Sequence, residues 1–151
     1  MRAIFVDADG CLIDDGWADK QMTEEGYDPY DLDEFNPRSL KLLARLASEC
    51  NAKVIFSSDW RRDEIAFKHA KEQFNSVGIE LYDTTGIKAS NHEIEIKFYL
   101  LKHPEITNYV ILDDWPMTAF NFIPHYVQTT IKDGFTFKMF EQAKKILLKG
   151  E

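Results

Sequence analysis

The sequence is poor in cysteine, which excludes the scaffolds that depend on this residue. Cys11 and Cys50 are far apart, and no C-x-x-C pair occurs among the 151 residues. A disulfide framework needs several cysteines, and a structural zinc site needs closely spaced Cys or His ligands. We therefore expect a reduced, intracellular, cytoplasmic protein with neither a disulfide framework nor zinc.

Long apolar runs and a surplus of positive charge are also missing. A membrane-spanning helix needs about 20 consecutive apolar residues, and the chain opens on a strand-like pattern where a secretory leader would show an apolar region. We expect no leader and no membrane partner. The 18 Lys and Arg residues against 26 Asp and Glu give a formal net charge of -8. That charge disfavours a broad grip on duplex nucleic acid, although a local basic patch remains compatible with it.

Apolar residues are plentiful and follow the pattern of an α/β protein. At 44% hydrophobic residues over 151 positions, the chain can bury one sizeable core, so we expect a single domain over residues 1–151. Strand-like runs occur at "AIFVD", "KVIFSS" and "YVILDD", with "YVQTT" as a fourth candidate. Helical patterns alternate with them at "NPRSLKLLARLASEC", "RRDEIAFKHAKEQF", "EIEIKFYLLKH" and "FKMFEQAKKILLK". This alternation predicts a mostly parallel sheet with helices on both faces.

Two segments carry more specific local signals. Asn36 is suited to cap a helix whose first residue is Pro37. Residues 10–35 are rich in acids, contain scattered aromatic residues and show no clear period. We interpret them as a loop excursion or small flap.

Polar residues follow the three strong strands at the point where each one ends. In open α/β sheets, ligands bind outside the carboxyl ends of the strands. A polar residue at one strand end is ordinary turn chemistry, but three such ends on neighbouring strands predict one site. The residues concerned are Asp7 and Asp9, Ser57 and Ser58, and Asp113 and Asp114.

These motifs resemble those of a known superfamily. In order, "FVDADGCL", "VIFSS", a downstream lysine and "VILDD" are similar to the four motifs of the haloacid dehalogenase (HAD) phosphohydrolases. Within that superfamily, "SSDWRR", "EIKFYL", "HYVQTT" and "GFTFKMFEQAKKIL" resemble the small HAD domain of Swiss-army-knife RNA-repair proteins. The resemblance implies a HAD-like Rossmannoid three-layer sandwich, with residues 10–35 as a minimal cap.

The resemblance also implies a role for each acid. Asp7 would attack phosphorus and form an aspartyl-phosphate, while Asp9 would protonate the leaving oxygen and later activate water. Carboxylates cannot approach a phosphate dianion without charge neutralisation. Mg²⁺ would therefore be held by Asp7, the backbone carbonyl of Asp9, and Asp113 or Asp114.

Four further residues are candidates for binding the phosphoryl group or the rest of the substrate. The family's hydroxyl after the second strand corresponds best to Ser57, with Ser58 second. Gly10 would let the backbone turn sharply away behind Asp9. Arg61 could clamp a remote phosphate or stack on a base, or it could belong to a helix that starts with Asp59 as its N-cap. For the neighbouring Trp60, packing is the favoured role.

The third-motif cation has three candidates. Lys88 precedes the "VILDD" strand at a separation similar to that in many relatives and is the preferred residue. The nearer subfamily tends to carry an Arg-Gly pair just before its "EI" helix, where this sequence has His92-Glu93. That departure leaves His92 and Lys97 as competitors. His69, His103 and His125 show no metal-ligand spacing, and we interpret them as surface or packing residues.

The predicted function is Mg²⁺-dependent hydrolysis of a phosphomonoester at an open site. The substrate would be a phosphorylated small molecule such as a nucleotide, held by the flap aromatics, or a nucleic-acid terminal phosphate. The alternative is a catalytically weak HAD-fold binding or regulatory module. The sequence does not indicate an oligomeric state.

Overall fold

The structure is a computed structural model that describes residues 1–87, 89 and 91–150. Strands and helices alternate along this part of the chain. The strands are β1 (Arg2–Val6), β2 (Ala52–Phe56), β3 (Asp83–Thr84), β4 (Asn108–Asp113) and β5 (Tyr126–Gln128). The α-helices are α1 (Asp15–Met22), α2 (Pro37–Glu49), α3 (Glu64–Ser76), α4 (His92–Lys102) and α5 (Phe137–Leu147).

The five strands form one parallel sheet in the order β3-β2-β1-β4-β5. The predicted α/β class with a mostly parallel sheet is therefore confirmed, and the three strong strand predictions are correct. In the register, Val6 lies opposite Phe56 on one side and Leu112 on the other. The residues that follow these three therefore emerge at the same level of the carboxyl edge.

Side chains of β1 alternate between two apolar layers, as expected for a strand buried on both faces. Ile4 and Val6 point into a core with residues of α2, α3 and α5. Phe5 points to the other face, where α4 and the segment after β4 provide the cover. Helix α4 is thus the principal helical cover of the second face.

The helix boundaries show where local signals were sufficient. Helix α2 begins at Pro37, and the Asn36 side chain accepts a hydrogen bond from a backbone N–H, as predicted. The predicted N-cap at Asp59 is wrong: Asp63 caps α3, while residues 59–62 form a short 3₁₀ turn. Helix α1 lies within residues 10–35, where no helix was predicted, and the short strand β3 was also missed. None of the described helices is long and apolar enough to cross a membrane.

Candidate active site

The carboxyl edge of the sheet brings the first, second and fourth motifs together. Asp7, Ser57 and Asp113 directly follow Val6, Phe56 and Leu112. Those three residues are aligned with one another on neighbouring strands. The backbones of Asp7 and Ser57 are fixed to adjacent strands, since the N–H of Asp7 donates to Leu112 and that of Ser57 donates to Val6. All three are almost fully buried, with exposures of 5%, 1% and 0%.

Asp7, His92 and Asp113 form a compact cluster. One side-chain ligand atom from each lies within 4.8 Å of the others, so the set could hold a metal ion. His92 Nδ1 is 2.7 Å from one carboxylate oxygen of Asp113. The other oxygen accepts a hydrogen bond from the backbone N–H of Trp115 at 2.8 Å. Asp113 is therefore held in a single orientation, facing His92.

The buried carboxylates of Asp7 and Asp113 repel one another unless a positive charge lies beside them. Burial, and then the neighbouring Asp113, raise the pKa of Asp7 well above its usual range. Burial alone would lower the pKa of His92, but its hydrogen bond with Asp113 and the charges of Asp113, Asp7 and Asp59 raise it to about 9. A hard cation would reverse the repulsion between the carboxylates. The carboxylates of Asp7 and Asp113 therefore fit the divalent metal that the sequence predicts, with His92 as a second positive charge beside them.

His92 is the third-motif candidate that the structure places at the site. It is the first residue of α4, where the preceding Asn91 caps the helix. Its Nε2 also lies 3.4 Å from Asp59, so the ring stands between two carboxylates. Lys97 is exposed on the same helix, with no contact placing it near Asp113 among the described residues. Lys88, the preferred sequence candidate, lies outside the described residues.

Asp9 lies at the rim, more exposed than Asp7. Its carboxylate accepts a hydrogen bond from the indole N–H of Trp60 at 3.3 Å. Partial burial raises the pKa of Asp9, and the charges of Asp33 and Asp59 also raise it. The hydrogen bond from Trp60 acts in the opposite direction and lowers this pKa. A raised pKa suits a general acid, because more of the group carries a proton near neutral pH.

Trp60 joins this rim to the hydrophobic core. Its ring packs against Phe35 and stacks on His69, with centroid distances of 5.3 and 6.3 Å. His103 and His125 stack in the same way on Tyr99 and Tyr109. These contacts agree with the prediction that the three histidines are surface or packing residues, and Trp60 combines packing with a hydrogen bond to Asp9.

Gly10 turns the backbone behind Asp9 and lies directly against a carboxylate of the site. Its φ is +75°, and a Cβ at this position would clash with an Asp114 carboxylate oxygen. The missing side chain therefore makes room for Asp114. Burial and the adjacent Asp113 raise the pKa of Asp114, so it belongs to the same repelling group of acids.

The two serines of the second motif differ in their contacts. Ser57 Oγ donates to the Val6 carbonyl at 3.1 Å, which places this hydroxyl beside the backbone of Asp7. Ser58 Oγ accepts from the backbone N–H of Trp60 at 3.1 Å and so caps the 3₁₀ turn.

The sequence left a substrate-binding and a structural role open for Arg61, and the contacts of its side chain are those of a positioning residue. Its side chain is 1% exposed and pairs with the buried Glu95 of α4. Its remaining N–H groups donate to backbone carbonyls of both strand-end segments around the site: Ser57, Ser58, Thr85 and Gly86. A guanidinium occupied in this way is not free to clamp a phosphate. It ties the second motif to the helix that carries His92.

The chain matches a known family over most of its length. The family described as the HAD domain in Swiss Army Knife RNA repair proteins matches residues 3–139. The chain belongs to this family. Comparison with curated proteins and with solved structures gave no match.

The residues at this strand edge agree with the resemblance to HAD motifs, with one departure. Asp7, Asp9, Ser57 and Asp113 occupy the positions expected of HAD motifs. His92 was only one of three sequence candidates for the cation, yet among the described residues it is the candidate that contacts Asp113. The available signal was its position, where the nearer HAD subfamily tends to carry arginine. The Arg61–Glu95 pair gave no such signal, because an acid within an apolar helix does not reveal its partner.

Proposed function

We propose that this chain is a Mg²⁺-dependent phosphomonoesterase that works through an aspartyl-phosphate on Asp7. The observation that carries the proposal is the convergence of Asp7, Asp113 and His92 at one strand edge, with ligand atoms within 4.8 Å. Asp9 lies two residues beyond Asp7 and is accessible at the rim. Family membership supports the same chemistry.

The reaction divides into two displacements at phosphorus. A carboxylate oxygen of Asp7 attacks, the bond from phosphorus to the ester oxygen breaks, and Asp9 donates its proton to the departing alcohol. Asp9, now ionised, removes a proton from water, which attacks the same phosphorus and releases Asp7 and inorganic phosphate. Trp60 holds the Asp9 carboxylate through both steps, and Ser57 provides a hydroxyl beside the phosphoryl group.

The residues that would hold Mg²⁺ are Asp7, the backbone carbonyl of Asp9, and Asp113, with Asp114 beside them. The ion would neutralise charge between the carboxylates and the phosphoryl oxygens. His92 keeps a second positive charge next to Asp113, in place of the family's arginine or lysine.

The proposed substrate is a phosphorylated small molecule or a nucleic-acid end. Asp33 and Asp59 lie close enough to Asp9 to affect its pKa, so the rim on that side is acidic. An extended polyanion would be repelled there, because like charges oppose its approach. Of the two classes, the acidic rim favours a small phosphomonoester.

One observation favours the second candidate, a HAD-fold binding or regulatory module with weak catalysis. His92-Glu93 stands where the nearer subfamily tends to have Arg-Gly, and imidazolium is a weaker electrostatic partner for phosphate than guanidinium. Turnover of a generic phosphomonoester separates the two candidates. Activity that is lost in EDTA and restored by Mg²⁺ supports the enzyme, and metal binding without turnover supports the module.

Metal binding has an expected effect on stability that does not depend on turnover. Millimolar Mg²⁺ should raise the melting temperature by several degrees relative to EDTA, because a ligand that binds only the folded state stabilises it. The gain should vanish in the Asp113→Asn, Asp114→Asn double variant. Differential scanning fluorimetry measures both. Equal melting curves for the wild type in EDTA and in Mg²⁺ would contradict the metal site.

Replacing His92 tests the third-motif cation. His92→Ala should lower kcat by roughly 10²–10³-fold, the scale for removing one electrostatic stabiliser, and His92→Lys should recover part of the loss. His103→Ala, at the other end of the same helix, is the matched control and should leave kcat unchanged. If His92→Ala stays active while Lys88→Ala or Lys97→Ala is inactive, the role belongs to that lysine.

A further inference from the structure

Helix α4 has two opposite faces, and the one that packs against the sheet is the less apolar of the two. The inward face follows a spacing of three, four and seven residues and consists of His92, Glu95, Ile96 and Tyr99. The opposite face carries Ile94, Phe98 and Leu101, with exposures of 44%, 53% and 71%. Because burial of apolar surface stabilises a fold, apolar packing alone would turn these three residues inward. Another interaction must therefore select the observed face.

The polar contacts of Glu95 form only when the observed face is turned inward. Glu95 is 3% exposed, and its carboxylate pairs with Arg61 and accepts a second hydrogen bond from Arg62 at 3.0 Å. Arg62 also donates to the carbonyls of Ile87 and Ala89, in the segment that leads into α4. A buried carboxylate without such partners is costly, so these contacts hold α4 in one rotational setting.

The other end of the pair is fixed to the carboxyl edge of the sheet. Arg61 donates to the carbonyls of Ser57 and Thr85, and the N–H of Thr85 is in turn bonded to the last residue of β2. The guanidinium is therefore a fixed reference point beside the site. Buried ion pairs add little net stability compared with apolar packing, but they can specify one register among several.

We propose that Glu95 is a positioning residue: its pair with Arg61 selects the face of α4 that packs on the sheet and thereby places His92 against Asp113. His92 lies three residues before Glu95, one turn nearer the start of the helix and on the same face. Glu95 acts through His92 and does not take part in the chemistry. The inference rests on the proposed function, in which His92 is the third-motif cation.

The first test compares Glu95→Gln with a variant that weakens the same helix by another route. Glu95→Gln should lower kcat for an activated phosphate ester by about 10²-fold with little change in KM, because a small displacement of one acting group is that costly. Ile96→Ala is the matched control. It leaves a cavity in the core beneath α4, so it should lower the melting temperature but leave kcat unchanged well below the melting transition. Unchanged kcat in Glu95→Gln, or an equal loss in Ile96→Ala, would overturn the proposal.

The second test is a rescue of Glu95→Gln by changes on the opposite face of α4. Phe98→Gln with Leu101→Gln should leave kcat of the wild type unchanged, since both side chains are more than half exposed. Added to Glu95→Gln, these changes should recover most of the lost kcat, because the opposite face no longer competes for burial. A role limited to overall stability predicts no recovery. An inactive triple variant, whether folded or unfolded, would therefore overturn the proposal.

The third test reads the position of His92 without turnover. His92 Nδ1 lies 2.7 Å from Asp113, and a carboxylate can only accept, so this nitrogen carries a proton that NMR detects as a hydrogen-bonded imidazole N–H. The chain has four histidines, and His92→Gln identifies the signal by its loss. The signal should disappear in Glu95→Gln and persist in Ile96→Ala. Persistence in Glu95→Gln would overturn the proposal, whether or not the wild type hydrolyses phosphomonoesters.

Discussion

Asp7→Asn is expected to reduce turnover by roughly 10⁴-fold or more, since an amide cannot replace the attacking carboxylate. The change should not destabilise the fold. Burial and the nearby Asp113 already raise the pKa of Asp7, so a neutral side chain of the same size relieves repulsion. Initial rates with an activated phosphate ester and a thermal melt of the same preparation measure the two effects separately.

The matched control for this variant is Asp14→Asn, a second buried aspartate near the start of the chain. Asp14 caps helix α1, and asparagine also caps well, so kcat should be unchanged. Normal turnover by Asp7→Asn, or a phosphoryl group found on Ser57, Ser58 or a histidine in the wild type, would rule out the aspartyl-phosphate mechanism.

Asp9→Asn is expected to stop the reaction halfway. An activated ester whose leaving group needs no proton should still phosphorylate Asp7, but hydrolysis of the intermediate should slow by roughly 10²–10⁴-fold because water loses its general base. Esters with poor leaving groups should fail at the first step. Asparagine can still accept the hydrogen bond from Trp60, so the change removes proton transfer while keeping the contact.

Mass spectrometry of this variant after brief exposure to the activated ester should show one added phosphoryl group, located on Asp7. The wild type under the same conditions should show much less, because its intermediate turns over. If Asp9→Asn never accumulates the phosphorylated form yet hydrolyses the ester at the wild-type rate, Asp9 is not the acid/base.

Residues 36–37 and 59–63 show which helix starts can be predicted from local sequence signals and which cannot. The start of α2 was predictable because Asn36 and Pro37 act through their immediate neighbours. The start of α3 was not, because Asp59 and Asp63 are equally suitable caps by residue type. Asp63 caps the helix, whereas Asp59 lies at the site beside Arg62 and His92.

The sequence by itself determined the α/β class and the convergence of Asp7, Ser57 and Asp113, because strand period and parallel order bring these positions to one edge. Only the tertiary structure decided what depends on distant partners. His92 meets Asp113 across 21 residues, Arg61 turns inward to Glu95 across 34, and one of the two apolar faces of α4 packs on the sheet while the other stays exposed. Residue type states what a side chain can do, but its partner depends on which elements the folded chain places beside it.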